Sequence, residues 1–351
     1  MADKKTILDA LKPVAHALAR TVDALVSQLI LEGDKVGLVL DFQNRPPQNP
    51  EDVRADVEEI VRALDGVGDV SVVMTASKHA TPPPELKPAA KAEMPPPAAI
   101  PGVKNIIAVG SGKGGVGKST TAVNLAIALS ESGLKVGLLD ADIFGPSLPK
   151  LLGIEGEKPQ TADGKILPTE VMGLRVMSIG LMLASDDPII WRGPQVMRAT
   201  GQLLSDVAWG ELDVLVIDLP PGTGDVQLTL VQKVPLTGAV IVSTPQDLAL
   251  IDARKGLQMF RKVGTPVLGI VENMSYFLCP KCGEQADIFG HGGARETAKE
   301  LGTDFLGEVP LHMSIRAGSD AGNPVVRAAP LSQHAAIYSD IAAKIASKLA
   351  V

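Results

Sequence analysis

The feature that most constrains this chain is a run of nine residues, Gly112-Lys113-Gly114-Gly115-Val116-Gly117-Lys118-Ser119-Thr120. It follows the apolar segment Asn105–Gly110 after a single residue, Ser111, and precedes a stretch with Ala122, Leu125, Ala126 and Leu129 at helical spacing. Strand, glycine-rich loop and helix are the context that the pattern G-x-x-x-x-G-K-[ST] requires. Glycines let successive backbone N–H groups turn inward around phosphate oxygens, and the helix N-terminus adds its positive dipole end. Lys118 supplies a mobile charge for the β- and γ-phosphates, and Ser119 a hydroxyl for magnesium. The same glycines also satisfy G-x-G-x-x-G through Gly110, Gly112 and Gly115, with Asp140 placed as a ribose-binding acid. That dinucleotide reading leaves Lys118 and Ser119 without a purpose.

The rest of the C-terminal part repeats the alternation of strand and helix. Apolar runs at 105–110, 135–140, 174–178, 213–218, 238–243 and 266–272 read as strands, with helical patterns at 119–130, 247–263 and 291–301. Continuous apolar runs, as opposed to alternating ones, belong to parallel strands covered on both faces. The hydrophobic fraction is 45% and the aromatic fraction only 3%, so the core is built from Val, Ile, Leu and Ala. These signals predict an α/β fold over 102–351 with a mostly parallel sheet covered by helices.

Two strands end in acids. Lys135–Leu139 leads into Asp140-Ala141-Asp142, and Asp213–Ile217 leads into Asp218 and the turn Leu219-Pro220-Pro221-Gly222-Thr223-Gly224-Asp225. Ligands of open α/β sheets sit beyond the carboxyl ends of the strands. Asp218 is therefore expected to hold magnesium or its waters, and Asp142 to orient the attacking water and approach the metal with Ser119.

Residues 1–76 read as a small α+β domain. Val36, Leu38, Leu40 and Phe42 alternate as in a strand, Val53, Val57, Ile60, Val61 and Leu64 recur at helical spacing, and 69–74 reads as a further strand. A Pro/Ala-rich linker occupies 77–101 and is expected to be extended. The net charge is −7 with no long basic run, which argues against nucleic acid as a partner. No signal-peptide core or membrane-length apolar run is evident, and the expected location is the cytoplasm. Ile337, Ile341, Ile345 and Leu349 form a C-terminal helical stripe with only Lys344 and Lys348 as basic neighbours, which reads as core packing and not as a membrane anchor. Met172, Met177, Met182 and Met197 read as core filler. His312 and Arg316 follow Pro310 in a polar stretch that is a candidate to line the nucleotide, without an assigned role.

The two cysteines, Cys279 and Cys282, form one C-x-x-C with Pro280 and Gly283, which suggests a loop and not the helix start of a redox dithiol. Four-coordinate zinc, an iron–sulfur cluster and a redox pair all remain open from spacing alone. A metal with four ligands needs a second chain, so a shared site on a twofold axis is expected.

The additional lysine, Lys113, makes the loop similar to the deviant Walker A loop of the MinD/ParA/nitrogenase-iron-protein group of P-loop NTPases. In that group this lysine contacts nucleotide, often across a dimer interface. The segments Asp140–Ser147, Trp191-Arg192-Gly193-Pro194, Asp218–Asp225, Ser243-Thr244-Pro245-Gln246, Glu272-Asn273-Met274-Ser275 and the cysteine pair resemble the Mrp/ApbC family of iron–sulfur cluster carriers over about 100–350. The N-terminal unit resembles the small iron–sulfur assembly domain often fused to them, although it has no cysteine. The resemblance implies a homodimeric ATPase that binds ATP and magnesium, carries a 4Fe–4S cluster on Cys279 and Cys282, and deals with scaffold and recipient apo-proteins. It also gives Lys113 a part in catalysis with Lys118 and Asp142, and Asn273 the reading of adenine. A ParA/MinD-type positioning ATPase and an electron-transfer ATPase like the nitrogenase iron protein are the alternatives.

Overall fold

The computed structural model describes residues 3–42, 47–75, 99–182 and 193–350. Most of the proline-rich stretch, together with Trp191 and Arg192, lies outside them. The chain divides into two compact units, Met1–Met94 and Pro95–Val351.

In the first unit, helices α1 (Lys4–Ala10), α2 (Lys12–Ala17) and α3 (Val22–Leu25) precede strands β1 (Val26–Glu32) and β2 (Lys35–Asp41), then helix α4 (Pro50–Arg62) and strand β3 (Asp69–Thr75). β1 and β2 form an antiparallel hairpin, and β3 runs parallel to β2. Val36, Leu38, Leu40 and Phe42 point into the core against Val57 and Val61 of α4, as their alternation predicts. β1 was not legible beforehand, because Ser27-Gln28-Leu29-Ile30-Leu31-Glu32 mixes both periodicities.

The second unit is built on a nine-stranded sheet. Its elements are β4 (Val103–Gly110), α5 (Lys118–Glu131), β5 (Val136–Asp140), α6 (Leu148–Leu152), the small hairpin β6 (Thr161–Ala162) and β7 (Lys165–Ile166), β8 (Thr169–Val171), β9 (Leu174–Ser178), α7 (Gly193–Ser205), β10 (Leu212–Asp218), α8 (Asp225–Lys233), β11 (Gly238–Ser243), α9 (Asp247–Lys262), β12 (Val267–Leu278), β13 (Gln285–Ala286), α10 (Gly293–Glu300), β14 (Phe305–Leu311), α11 (Met313–Asp320), α12 (Val325–Ala328) and α13 (Gln333–Ala346). The path across the sheet is β13-β12-β11-β4-β10-β5-β9-β8, with β14 also paired to β12. Pairings among β14, β12, β11, β4, β10, β5 and β9 are all parallel, while β8 and β13 run antiparallel to their neighbours.

Burial explains the apolar runs. Ile107 and Val109 of β4 enter a core layer with α5 and α13, while Ile106 and Ala108 enter another with α8 and α9. Both faces of one strand are thus dry, and no alternation can show in its sequence. Tyr338, Ile341 and Ile345 of α13 are fully buried, and the helix packs on α5 and β14. Met177 is likewise buried and Met172 packs against the core, whereas Met182 is exposed. The structure adds β14, whose Phe305-Leu306-Gly307-Glu308-Val309-Pro310-Leu311 is broken by Gly, Glu and Pro. It also continues β12 six residues beyond the expected end at 272, to Leu278.

Candidate functional site

The phosphate loop joins β4 to α5. Gly115 and Gly117 hold φ values of 80° and 78°, which glycine adopts without steric cost. Gly112 is fixed by packing instead: a Cβ there would lie 2.1 Å from the backbone carbonyl carbon of Asp252 in α9. The loop and its surroundings enclose a cleft of about 260 Å³, lined by Lys113, Gly114, Gly115, Lys118, Ser119 and Thr120 with Asp142, Ser147 and Pro221 from facing loops. Val116 is buried beneath it.

The strand order decides which acid meets the lysine. β10 lies directly beside β4, and Asp218 pairs in register with Val109. Lys118 Nζ donates to Asp218 Oδ1 at 2.5 Å and approaches Ser119 Oγ at 3.2 Å. Lys118 is 6% exposed and Asp218 0%. Asp218 Oδ2 is buried with no hydrogen-bond partner among the described residues. Burial pushes the Asp218 carboxyl up, against the opposing pull of the Lys118 charge.

Asp140, one strand further out, faces Asp218 in register. It is not open to a ribose. Its Oδ2 accepts from Ser147 N–H, Leu148 N–H and Ser178 Oγ, and its Oδ1 from Asp142 N–H, at 3.0 to 3.2 Å. Asp140 therefore ties down both ends of the loop that presents Asp142. Burial, with the charge of Asp218, pushes its carboxyl up to about 7. Asp142 itself is half-buried at the cleft wall. Its carboxyl is also pushed up by burial first, with Lys118 pulling the other way. These positions remove the dinucleotide reading, which needs a free acid at Asp140 and gives Lys118 no partner.

Lys113 is half-buried in the cleft wall, and among the described residues no carboxylate is within ion-pair distance of it. Asn273 lies beneath the loop, donating from Nδ2 to Val116 O at 2.8 Å, where a side chain on Gly117 would collide with it. His312 and Arg316 are not part of this cleft. His312 caps α11 and stacks on His334 with centroids 4.2 Å apart, and Arg316 pairs with Asp320. Asp225 opens α8.

The cysteines sit in a turn between β12 and β13. Cys279 N–H donates to Glu284 O and Gly283 N–H to Cys279 O, and Gly283 takes the positive φ of 74° that closes the turn. No helix begins there. Cys279 is half-buried and Cys282 exposed. The backbone N–H groups of Cys282 and Lys281, with the Cys282 thiol, pull the Cys279 thiol below its ordinary range, and so favour the thiolate that binds metal. Among the described residues, the one trio of ligand-type side chains within 4.8 Å is Glu272, His291 and Glu308, and neither cysteine belongs to it. Glu272 in that trio is saturated by hydrogen bonds from Ser275, Gly292 and Ala294, and Arg295 lies 3.6 Å from Glu308, which makes the trio a structural staple.

A family model described as the NUBPL iron-transfer P-loop NTPase (ParA) matches residues 102–346. The chain belongs to the NUBPL iron-transfer P-loop NTPase family. Its family membership is supported by relatives across distant organisms. It is 55% identical over 255 residues to the iron-sulfur cluster transfer protein NUBPL of Dictyostelium discoideum, covering 72% of this chain and 79% of that one. It is 55% identical over 251 residues to the iron-sulfur cluster carrier protein of Escherichia coli K12, covering 71% and 68%. Among solved structures, the nucleotide-binding protein of Archaeoglobus fulgidus in complex with ADP is 43% identical with a TM-score of 0.58, covering 66% of this chain and 90% of that one. The MinD cell division ATPase of Pyrococcus furiosus, 23% identical with a TM-score of 0.54 over 70% and 99%, shares the fold of this NUBPL-family chain. No described helix is long and apolar enough to cross a membrane.

Proposed function

We propose that this chain is an ATP-hydrolysing carrier that receives an iron–sulfur cluster, of 4Fe–4S type, from a scaffold and delivers it to recipient apo-proteins in the cytoplasm. The observation that carries the reading is a complete phosphate cleft on the same sheet as an accessible, N–H-stabilised cysteine pair that, among the described residues, belongs to no cluster of three ligand-type side chains. The names of the relatives, cluster carrier and cluster transfer proteins, support it.

In the cleft, the loop amides and Lys118 would hold the β- and γ-phosphates, and Lys113 would add a second positive charge from its own chain or from a partner copy. Ser119, Asp142 and the unpartnered Oδ2 of Asp218 are hard oxygen donors that fit magnesium, which when bound supplies charge neutralisation on the phosphates. Asp142 would orient the attacking water. Displacement of Lys118 from Asp218 onto phosphate would free the carboxylate for the metal side. Asn273 would contribute to the adenine end while its Nδ2 secures the loop.

Each chain offers only Cys279 and Cys282, so the cluster, as cargo, is held between two copies of this chain. Anaerobic reconstitution with iron and sulfide, followed by metal analysis and sedimentation, tests this. The expected result is about one cluster per two chains, with conversion of monomer to dimer. Cys279→Ser or Cys282→Ser removes two of four thiolates in a symmetric dimer and should eliminate stable uptake while ATP binding persists. A monomer holding a full cluster would sink the bridging model.

A further inference from the structure

Strand β12 runs from beneath the phosphate loop directly into the cysteine turn, ending at Leu278 with Cys279 next. Its middle holds an irregularity that a plain strand does not need. Met274 has φ 56°, in the left-handed region that side chains with a Cβ rarely adopt. At this point the register with β14 slips, passing from Asn273 opposite Val309 to Phe277 opposite Leu311.

The residues flanking Met274 make contacts in two directions. On the nucleotide side, Asn273 Nδ2 bonds Val116 O, and a Cβ on Gly117 would lie 2.1 Å from that nitrogen and 3.6 Å from Met274 Cε. On the cysteine side, Glu272 is fully buried and its carboxylate accepts from Ser275 Oγ at 2.5 Å, Gly292 N–H at 3.0 Å and Ala294 N–H at 2.7 Å. Ser275 lies on the strand leading out to the cysteines, and Gly292 and Ala294 on the chain returning from them. One carboxylate therefore clamps both stems of the segment that carries Cys279 and Cys282. His291, paired with Glu308 at 3.1 Å, ties the returning stem to β14 as well.

We infer that Glu272-Asn273-Met274-Ser275 is the link through which nucleotide in the cleft alters the cysteine hairpin, with Asn273 sensing the loop, Met274 acting as the hinge and Glu272 with Ser275 as the clamp. These are positioning residues; none of them reaches the thiols. The inference rests on the proposed reading that ATP occupies the loop. A shift of Val116 and Gly117 on phosphate binding pulls on Asn273, and the strained Met274 is the place where the strand yields. Because Glu272 holds both stems, the hairpin then moves as one body. Backbone strain persists only where surrounding contacts enforce it, and here the enforcing contacts are those to the loop and to the clamp.

The test reads thiol reactivity in the full-length apo-protein. Alkylation of Cys279 and Cys282 by iodoacetamide is followed by mass spectrometry, with and without saturating magnesium and the β,γ-imido analogue of ATP. In the wild-type chain the nucleotide should change the rate about fivefold or more, the lower range of typical coupling between sites. In Glu272→Gln and in Ser275→Ala the ratio should fall to within about twofold of unity, while analogue affinity measured by titration stays near that of wild type. Ser275→Ala deletes one hydroxyl and carries the test if Glu272→Gln does not fold. Either folded variant keeping the wild-type ratio overturns the inference. So does a wild-type chain that binds the analogue with no change in thiol rate. A wild-type chain that binds no nucleotide overturns the functional reading itself.

Discussion

Behind the phosphate cleft Asp218 and Asp140 are fully buried and Lys118 nearly so, and the loop that presents Asp142 is pinned by hydrogen bonds to Asp140 at the end of β5. Six residues along β12 from Asn273, which touches the phosphate loop, the cysteine turn begins; it is closed by two backbone hydrogen bonds, with Cys279 half-buried and Cys282 exposed. The contrast follows from the chemistry each region serves. Charge development on phosphate is stabilised best by fixed dipoles and charges in a dry site, where electrostatic interactions are strong. A group that must be handed on has to stay accessible. The titration directions follow the same division: burial pushes Asp140, Asp142 and Asp218 up, while N–H donors pull the half-buried Cys279 thiol down.

If the two regions are separate machines, damage to one should spare the other. The largest effect is expected for Lys118→Ala. ATP turnover should fall about 10³-fold, since a preorganised charge partner of the transferring phosphate is lost. Uptake of iron and sulfide, followed by absorption and metal analysis, should persist. Removing the lysine leaves Asp218 buried and unpaired, so Lys118→Arg serves as the control for folding. Unchanged turnover in a folded Lys118→Ala protein would take the loop out of the mechanism.

Asp142→Ala is expected to be milder, slowing hydrolysis about 10²-fold, the usual scale for a residue that activates water. Nucleotide affinity and cluster uptake should both remain. A folded Asp142→Ala protein that cannot be reconstituted would show that the two regions are one site.

A third test sharpens the comparison by pH. An acid whose folded pKa is raised binds more protons in the folded than in the unfolded chain between its two pKa values. For Asp140, stability should therefore decline as pH rises from about 4 through about 7, by at most about 1.4 kcal/mol per pH unit, and level off above that. Chemical denaturation of the nucleotide-free, magnesium-free protein across this range measures the slope. Asp140→Asn should flatten it. A slope unaltered in Asp140→Asn would assign the pH dependence to other groups.

Much of this was legible in the residue order. The loop glycines with Lys118 and Ser119 announce a phosphate site because few other uses repay so many glycines at a helix start. The apolar runs at 105–110, 213–218 and 238–243 became strands within two residues of the expected ends, since continuous burial leaves no other pattern. The Cys-Pro-Lys-Cys-Gly turn formed as a turn because Pro280 and Gly283 oppose a helix. β14 stayed hidden because Gly307 and Pro310 speak against a strand, and only pairing with β12 overrides them.

What the sequence by itself determined, then, is local: where the continuously apolar strands run, where phosphate can be cradled, and that the two thiols come as a pair in a turn. Which acid meets Lys118 was decided by the tertiary structure alone. Asp140 and Asp218 both end apolar strands, and although Asp218 was expected at the metal, nothing in the residue order pairs either acid with Lys118. Backbone hydrogen bonding is indifferent to side-chain identity, so strand order is set by how crossover helices pack on the two faces of the sheet. That order puts β10 beside β4 and β5 one place beyond. Asp218 is thereby carried to the lysine, and Asp140 to the N–H groups that hold the loop of Asp142.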